Sequence, residues 1–295
     1  MSSEPIRPLS VGDHHRTLFH GNRERTYLVH VPADYDGASA WPVVLAFHGG
    51  ATDAAAMARF SNLDEQADRS RCIAVYPNGT GRREHLLTWN AGNCCGYAMW
   101  NEVDDVGFVG AIIDQLAREA NVDLRRVYAV GMSNGGMLAY RLASELSARI
   151  AAIGSIAGPM ATATCAPARP VPLIHFHGTH DEFAPFAGGI GARSIVRSYK
   201  YSVAYTMEQW IGANRCAREP EVERLPSTAT PDLPVVRHRY RAGRDGAEID
   251  LYIIENGGHT WPGNPPRVQF LGPCTQNISA NALLLEFFLR HQLPE

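Results

Sequence analysis

The chain has 295 residues, of which 45% are hydrophobic and 19% are charged, and its formal net charge is −3. This composition is typical of a globular protein with a sizeable core, and the lack of a basic excess argues against a nucleic-acid partner. No run of about 18 apolar residues occurs, so no membrane span is predicted. The amino terminus, MSSEPIRPLSVGDHHRT, lacks the apolar segment of a signal peptide, although a chain whose leader has been removed would look the same.

Apolar runs that predict strands begin early in the chain. Residues 25–31 alternate between polar and apolar side chains, which predicts an edge strand. Residues 43–47 form a continuous apolar run, as expected for a strand buried on both faces. Runs of the same kind predict further strands at residues 73–76, 127–130, 151–155 and 173–176.

Helical patterns lie between these runs. From Val106 to Ala120, apolar residues recur at steps of three and four, which predicts a helix, and Asp104 or Asp105 is placed to cap its first turn. Strands that alternate with helices predict an α/β fold, with a mostly parallel central sheet covered by helices on both faces.

The last third of the chain contains two more predicted strands, at residues 235–240 and 249–254, joined through an Asp245-Gly246 turn. An amphipathic pattern at residues 281–291 predicts a closing helix. Residues 218–234 are rich in Pro, Glu, Ser and Thr, which predicts an excursion over the surface.

The length of the chain is normal for an α/β protein with one large sheet. Neither an internal repeat nor a low-complexity linker interrupts the sequence. We therefore predict an N-terminal segment of residues 1–24 followed by a single domain of residues 25–295.

The segment YAVGMSNGGML, residues 128–138, contains a Gly-x-Ser-x-Gly motif centred on Ser133. A strand-like run precedes the serine and a helix-like segment follows it, which is the setting of a nucleophile elbow. Glycines tolerate the strained backbone of such a turn, and the helix N-terminus stabilises developing negative charge. The motif also occurs by chance at ordinary turns, but this context favours a nucleophilic serine.

A serine hydroxyl needs a general base, and the base needs an acid that orients it. In hydrolases with a nucleophile elbow the three residues follow the order Ser, Asp or Glu, His. Asp181 comes shortly after the strand predicted at residues 173–176, and His259 follows the strand predicted at residues 249–254. Both therefore lie past the carboxyl ends of strands, where open α/β sheets place their active sites.

Each of these candidates has an alternative interpretation. Asp181 could cap a loop, with Glu182 as the replacement acid, and His259 could be a solvent-exposed loop residue. Three rival bases precede or crowd the acid: His175, His177 and His180. We interpret His175 and His177 as strand residues with structural roles.

An oxyanion hole requires backbone N–H groups that point at the developing charge. One donor is expected from the residue after the nucleophile, Asn134. The second is expected from the loop after an early central strand, here His48-Gly49-Gly50-Ala51, and we select Gly50. A glycine-rich turn without function would explain the local spacing equally well. It would not explain why the turn occurs together with the candidate serine, acid and base.

The sequence does not decide whether the cysteines are free thiols or form a disulfide. Six are present: Cys72, Cys94, Cys95, Cys165, Cys216 and Cys274. Buried free thiols are one interpretation; the other is a disulfide from Cys94 or Cys95, with Cys165 or Cys216 as partner, which indicates an exported protein. Neither a Cys-x-x-Cys nor a helical His-x-x-x-His spacing occurs, so no metal site is expected.

These features together resemble the polyhydroxybutyrate depolymerase-like esterases of the α/β-hydrolase fold, a group that shades into carbohydrate esterase family 1 with its feruloyl and acetylxylan esterases. The segments that carry the resemblance run from about residue 25 to the carboxyl terminus and are FHGGATDAAAMARFSNLDEQAD, IAVYPNGT, TWNAGNCCGYA, NEVDDVGFV, RRVYAVGMSNGGMLAYRLA, HFHGTHDEFAPFAGG and ENGGHTWPG.

The resemblance implies Ser133 as nucleophile, Asp181 as acid and His259 as base, and it implies the Gly50 position as the second oxyanion donor. It also implies that Trp89 and Asn90 contact substrate and that Trp261 lines the mouth of the site, although packing is an equal alternative for both tryptophans. The resemblance implies no cofactor, and it favours an extracellular or periplasmic location, with a cytoplasmic one still open.

The expected function is hydrolysis of small-molecule or oligomeric carboxylic esters with short-chain, hydroxyalkanoate or hydroxycinnamate acyl groups. The sequence departs from extracellular polymer depolymerases because it carries neither a linker nor a separate polymer-binding domain, which weakens the case for an insoluble polyester. An amidase or peptidase on the same fold is the alternative enzyme. A catalytically idle binding protein is a less favoured alternative, because it predicts a broken triad.

Overall fold

The computed structural model describes residues 9–227, 232–264 and 268–295. Its strands are β1 (Gly12–His20), β2 (Arg23–Val31), β3 (Trp41–Phe47), β4 (Ile73–Pro77), β5 (Val122–Met132), β6 (Ala152–Ile156), β7 (Leu173–Gly178), β8 (Glu221–Arg224), β9 (Val235–Tyr240) and β10 (Ile249–Ile254). Its helices are α1 (Ala54–Ser61), α2 (Leu63–Ser70), α3 (Gly96–Trp100), α4 (Asp105–Glu119), α5 (Asn134–Glu145), α6 (Val203–Asn214) and α7 (Ala280–Leu289).

The strands form one ten-stranded sheet in the order β1-β2-β4-β3-β5-β6-β7-β10-β9-β8. The six central strands of this order, β4-β3-β5-β6-β7-β10, are parallel to one another. Antiparallel pairing adds β2 and β1 at one end and β9 and β8 at the other. The predicted α/β fold with a mostly parallel sheet is therefore confirmed.

Both faces of the sheet are buried, which explains why its central strands are apolar throughout. In β3, Val43, Leu45 and Phe47 face one hydrophobic cluster, whereas Val44 and Ala46 face another. Helices α4, α5 and α6 cover the first cluster, and α1, α2 and α7 cover the second. The sheet consequently forms the middle layer of a three-layer sandwich.

The amino-terminal end of the sheet corrects two predictions. Residues 25–31 do not form an edge strand, because β1 pairs with β2 along its whole length and takes the edge position. The boundary predicted at residue 25 therefore cuts through a hairpin, and the sheet begins at Gly12. The alternation in β2 reflects one face on the core and one face turned partly to solvent.

The region predicted as a surface excursion, residues 218–234, contains the short edge strand β8. All side chains of β8 are exposed, so its sequence carried no apolar signal of a strand. Residues 228–231 of this region lie outside the described residues. Between β9 and β10 the expected turn is a short 3-10 segment in which Asp245 and Gly246 have positive φ angles of 56° and 77°.

The two adjacent aspartates at the start of α4, Asp104 and Asp105, have different structural roles. Asp104 is the N-cap, and its carboxylate accepts a hydrogen bond of 2.8 Å from the backbone N–H of Gly107. Asp105 is fully buried, where it accepts from Arg25 at 2.7 Å and from the backbone N–H of Asn90 at 2.8 Å. Asp105 thus ties β2 and the loop around residue 90 to the start of α4.

Among the residues that the structure describes, no helix is long and apolar enough to cross a membrane.

Candidate active site

The corner between β5 and α5 holds Ser133 in a strained backbone conformation, with φ 55° and ψ −119°. A non-glycine residue with positive φ is uncommon and persists only where its surroundings hold it. Here the backbone N–H of Ser133 donates to the carbonyl of Ile156 at 2.8 Å, and the carbonyl of Ser133 accepts from the N–H of Met137 at 2.9 Å. The half-buried side chain consequently stands at the carboxyl edge of the sheet.

Two glycines let the corner close. A Cβ atom on Gly131 would lie 2.2 Å from the backbone carbon of Gly135, and one on Gly135 would lie 2.2 Å from the carbonyl oxygen of Phe47. Real Cβ atoms do not approach backbone this closely, so a side chain at either position would push α5 away from β3 or β5. The Gly-x-Ser-x-Gly pattern is therefore a steric requirement of this turn.

We expect Gly135→Ala to lower the free energy of unfolding by at least about 1–3 kcal/mol, because the new methyl group overlaps backbone that cannot yield cheaply. Urea denaturation measures the change as a lower midpoint with an unchanged slope. Gly212→Ala in α6 is the matched control, since a Cβ there meets nothing within 4 Å, and it should stabilise the protein by about 0.4–1 kcal/mol. Equal stability of the two variants would contradict the steric account of the corner.

The predicted acid and base are hydrogen-bonded to each other. His259 Nδ1 donates to Asp181 Oδ2 at 2.7 Å, and both side chains are buried. The other oxygen, Asp181 Oδ1, accepts from the backbone N–H groups of Phe183 and Ala184 at 2.8 Å each. Because its partner is a carboxylate, His259 carries its proton on Nδ1 and leaves Nε2 as an acceptor.

The charge of Asp181 follows from these contacts. Burial opposes ionisation, but the positive charge available on His259 and the hydrogen bonds from His177 and His259 outweigh it, so the pKa of Asp181 lies well below its ordinary value. The carboxylate is therefore ionised at neutral pH, as an orienting acid must be.

The alternative acid and bases lie elsewhere. Glu182 is exposed, and its carboxylate pairs with Arg193 at 2.7 Å, away from His259. His180 is exposed on its loop, where its ring contacts Thr179. His175 and His177 are buried within β7. Among the described residues, only Asp181 thus meets the ring of His259 with a carboxylate.

Sheet topology brings the three predicted residues to one edge. Ser133, Asp181 and His259 follow β5, β7 and β10, which run parallel in a sheet where β6 separates β5 from β7 and β10 adjoins β7. The carboxyl ends of parallel strands meet at the same edge, so the three side chains share it. The Ser133 hydroxyl has no hydrogen-bond partner among the described residues, which leaves it available to a base and a substrate.

The two predicted oxyanion donors lie side by side. A Cβ atom on Gly49 would lie 3.6 Å from Cβ of Ser133, and one on Gly50 would lie 3.9 Å from Cβ of Asn134. The backbone N–H groups of Gly50 and Asn134 donate no hydrogen bond to any other described residue. Two unused donors next to a candidate nucleophile are what an oxyanion hole needs.

A neutral histidine fixes the loop that carries Gly50. Burial lowers the pKa of His48 to about 4, so its ring is uncharged at neutral pH. His48 Nδ1 donates to the carbonyl of Gly49 at 2.6 Å, and its Nε2 accepts from the N–H of Gly79 at 3.0 Å. Trp89 Nε1 donates to the carbonyl of His48 at 3.0 Å. These bonds hold the backbone of the loop before any substrate arrives.

Burial corrects the predicted substrate contacts. The side chains of Trp89 and Trp261 are 0% and 1% exposed, so neither reaches a bound substrate. The backbone of Trp89 is clamped by the Asn134 amide, at 2.7 Å and 3.1 Å, while Trp261 Nε1 donates to Asn281 at 2.8 Å. Both tryptophans take the packing role that was the equal alternative.

Asn90 is also engaged by the protein itself. Its side-chain amide donates to the backbone carbonyl of Val103 at 3.1 Å, and its own backbone carbonyl accepts from Arg141 at 2.8 Å. The backbone N–H of Asn90 donates to Asp105, so Asn90 holds the loop around residue 90 in place. The geometry gives no support to the predicted contact of Asn90 with substrate.

Sequence reasoning missed the aromatic pair of Phe183 and Phe270 next to His259. Phe183 tilts against the His259 ring with centroids 5.0 Å apart, and Phe270 lies 6.0 Å beyond Phe183. On the other side of the acid, His177 Nε2 lies 3.4 Å from Asp181 Oδ2. Single aromatic residues in loops carry no distinctive spacing, so no signal in one sequence could have selected Phe183 or Phe270, whereas His177 was named in the sequence analysis but interpreted as structural.

The cysteines differ from the expected pairing. The sulfur atoms of Cys94 and Cys95 lie against each other, and a cis peptide bond joins the two residues. Cys165 and Cys216 are free thiols, so neither is the partner that the sequence analysis expected. Among the described residues, no group of three or more His, Cys, Asp and Glu side chains is arranged to hold a metal ion.

Comparison with known proteins shows that the sequence is similar to those of esterases. The family model described as esterase PHB depolymerase matches residues 26–166. A putative esterase, NocK, from Nocardia uniformis subsp. tsuyamanensis is 29% identical over 93% of this chain and 82% of its own length. Feruloyl esterase B from Piromyces equi is 27% identical over 80% of this chain, which spans 42% of that longer protein.

Solved structures agree on the fold. The acetyl xylan esterase from Aspergillus awamori superposes with a TM-score of 0.63 at 14% identity, covering 94% of this chain and 98% of that one. The ferulic acid esterase from Anaeromyces mucronatus in complex with ferulic acid superposes with a TM-score of 0.52 at 13% identity, covering 84% and 85% of the two chains. The resemblance found in the sequence motifs is confirmed, and the chain is a serine carboxylic-ester hydrolase of the α/β-hydrolase fold, similar to the esterase PHB depolymerases and to feruloyl and acetylxylan esterases.

Proposed function

We propose that Ser133, His259 and Asp181 form the catalytic triad of this esterase, within one catalytic domain, and that the N–H groups of Gly50 and Asn134 form its oxyanion hole. The proposal is supported by the strained serine corner and by the hydrogen bond of 2.7 Å between His259 and Asp181. The two unused backbone donors beside Ser133 add independent support.

The reaction proceeds in two acyl transfers. His259 Nε2 takes the hydroxyl proton as Ser133 Oγ attacks the ester carbonyl, and the resulting oxyanion accepts hydrogen bonds from Gly50 and Asn134. The tetrahedral intermediate then expels the alcohol, which takes its proton from His259. Water attacks the acyl-serine by the same route, releasing the carboxylic acid and restoring Ser133. Asp181 stays ionised throughout and stabilises the imidazolium.

We further propose that the acyl group is aromatic, as in the hydroxycinnamate esters. The observation that carries this proposal is the aromatic pair of Phe183 and Phe270 beside His259. Phe183 is half-buried and Phe270 is 58% exposed, so the pair offers an open aromatic face next to the base. A planar hydroxycinnamoyl ring stacks on such a face, whereas a short hydroxyalkanoate leaves it uncovered. The names of the feruloyl esterase relatives agree with this class.

The experiment compares kcat/KM for methyl ferulate, p-nitrophenyl acetate and a soluble hydroxybutyrate oligomer. We expect Phe270→Ala to lower kcat/KM for methyl ferulate by about two- to tenfold relative to p-nitrophenyl acetate, since an aromatic contact contributes about 0.5–1.5 kcal/mol beyond simple burial. Phe19→Ala is the matched control, because Phe19 is 73% exposed on the edge strand β1 and should change neither substrate.

Two outcomes would contradict the aromatic assignment. One is an equal loss on all substrates in Phe270→Ala, which would mean that the residue supports the site without selecting the acyl group. The other is a preference of the wild-type enzyme for the hydroxybutyrate oligomer over methyl ferulate.

We also propose that the enzyme is exported and works in an oxidising compartment as the disulfide form of Cys94 and Cys95. The contact between these two sulfur atoms supports the proposal. Counting thiols in the denatured protein tests the disulfide, because the oxidised chain carries four free cysteines and the reduced chain six.

A further inference from the structure

The loop of residues 189–200 is closed at its base and lies beside the proposed acid. Two backbone hydrogen bonds of 2.9 Å and 2.8 Å join its first residue to its last. Within the loop, the backbone N–H of Arg193 donates to the carbonyl of Glu182 at 3.0 Å. A Cβ atom on Gly191 would lie 2.3 Å from the carbonyl oxygen of Phe183, so the two backbones are in direct contact. The loop therefore packs on the segment that immediately follows the acid.

The turn that carries Phe270 is held at two successive carbonyl groups. Phe270 lies in the middle of a short 3-10 segment, residues 269–271. The carbonyl of Leu271 accepts a hydrogen bond of 2.7 Å from the backbone N–H of His259. The carbonyl of Phe270 accepts one of 2.9 Å from Arg193 Nη1. The turn is thus tied to the proposed base at one carbonyl and to the loop of Arg193 at the preceding one.

The guanidinium group of Arg193 joins the acid side of the site to this turn. Its Nε pairs with the Glu182 carboxylate at 2.7 Å, while its Nη1 donates to the carbonyl of Phe270. The donors of an arginine are fixed in one plane, so the group binds two acceptors at a set separation. Both charged side chains are about half exposed, and such an ion pair alone contributes little to stability. The added bond to a backbone carbonyl is what fixes Phe270 relative to Glu182.

This bridge controls the separation of two aromatic rings beside the base. Glu182 directly precedes Phe183, whose ring lies 5.0 Å from the His259 ring. The Phe270 ring lies 6.0 Å from the Phe183 ring, at an interplanar angle of 54°. Because Arg193 connects the neighbour of the first ring to the backbone of the second, it holds the second ring against the first.

We propose that Arg193 is a positioning residue, which keeps Phe270 against Phe183 and thereby determines how tightly the site binds an aromatic acyl group. This inference rests on the proposed preference of the enzyme for hydroxycinnamate esters. A purely structural role of Arg193 predicts a change in stability and an equal effect on all esters. The positioning role predicts a loss that is confined to aromatic acyl groups and depends on the Phe270 ring.

Arg193→Met removes the donors and keeps an unbranched side chain. We expect it to raise KM for methyl ferulate by about two- to fivefold with kcat little changed, because the Phe270 ring contributes binding and takes no part in the bond changes. The kinetic constants for p-nitrophenyl acetate, which has no aromatic acyl group, should stay at wild-type values. Arg69→Met is the matched control: Arg69 in α2 is likewise exposed and paired with a glutamate, Glu65, and its loss should affect neither ester.

A double-mutant cycle tests whether Arg193 acts through Phe270. In the Phe270→Ala background, Arg193→Met should have no further effect on methyl ferulate, because the ring that it positions is already absent. Arg193→Lys keeps the charge but not the planar group, and it should behave like Arg193→Met. Equal effects of Arg193→Met with and without the Phe270 ring would overturn the proposal, as would wild-type behaviour of Arg193→Lys.

The position of the ring is also measured directly, whichever ester the enzyme prefers. Fluorine-19 NMR of the enzyme with 4-fluorophenylalanine in place of Phe270 reports the surroundings of that ring. We expect Arg193→Met to shift and narrow the resonance, because the ring loses its fixed place against Phe183. An unchanged resonance would overturn the proposal. A changed resonance in an enzyme whose Phe270→Ala variant treats all esters alike would support the positioning of Phe270 by Arg193 and contradict only the aromatic acyl assignment.

Discussion

Ester hydrolysis should fall by on the order of 10⁶-fold in kcat when Ser133 is replaced by alanine. The hydroxyl has no hydrogen bond to another described residue, so the substitution removes the nucleophile and disturbs no structural contact. The remaining backbone donors of Gly50 and Asn134 still favour the tetrahedral state, which should leave a small residual rate above that of water. Turnover of methyl ferulate and p-nitrophenyl acetate by purified wild-type and variant enzymes measures the effect.

The control is Ser10→Ala, an exposed serine before β1, which should retain full activity. Thermal unfolding of Ser133→Ala should match the wild type, which separates lost chemistry from lost folding. Activity of Ser133→Ala within tenfold of the wild type on both esters would remove Ser133 from the nucleophile role and with it the proposed mechanism.

Replacement of Asp181 by asparagine should lower kcat by on the order of 10⁴-fold. Two backbone N–H groups, from Phe183 and Ala184, require an acceptor at one oxygen position. The asparagine carbonyl must therefore occupy that position, and its NH₂ group then faces His259. A donor at Nδ1 forces His259 into the Nε2–H tautomer, which cannot take the proton from Ser133. The pH dependence and rate of ester hydrolysis measure this loss.

The neighbouring carboxylate supplies the matched control. Glu182→Gln removes an exposed charge that pairs with Arg193, and it should leave kcat unchanged. If Glu182→Gln lost activity and Asp181→Asn kept it, the assignment of the acid would be reversed. Both substitutions replace a carboxylate with an amide, and only the one at Asp181 changes the group that faces the base.

The parts of the fold that sequence reasoning predicted are those with a strong local pattern. The central strands are apolar throughout because both of their faces are covered, and α4 shows a helical period with a capping Asp104. The order of Ser133, Asp181 and His259 along the chain was enough to propose a triad. Strand β1 was missed because its short polar alternation lies in a segment without apolar runs, and only its partner β2 defines it.

The site itself was less predictable than the fold. The resemblance implied Trp89 and Trp261 as substrate contacts, with packing as an equal alternative. Their burial depends on the packing of Phe47 and Phe60 from distant segments, which contact their rings at 5.4 Å and 6.5 Å. The stack of His175 on His177 could not be predicted from the sequence either. The His175 ring is hydrogen-bonded to Tyr140, which lies on a different element, α5.

The backbone at Ser133 also limits which nucleophiles evolution can reach at this position. A φ of 55° with a ψ of −119° is tolerated by an unbranched side chain held in place, but a β-branched side chain crowds the backbone in this region. Threonine keeps the hydroxyl yet adds the branch, so it retains the chemical group and loses the conformation. Cysteine keeps the shape and changes only the attacking atom. The geometry of this one peptide corner therefore admits substitutions that keep an unbranched Cβ, such as cysteine, and selects against threonine even though threonine keeps the hydroxyl.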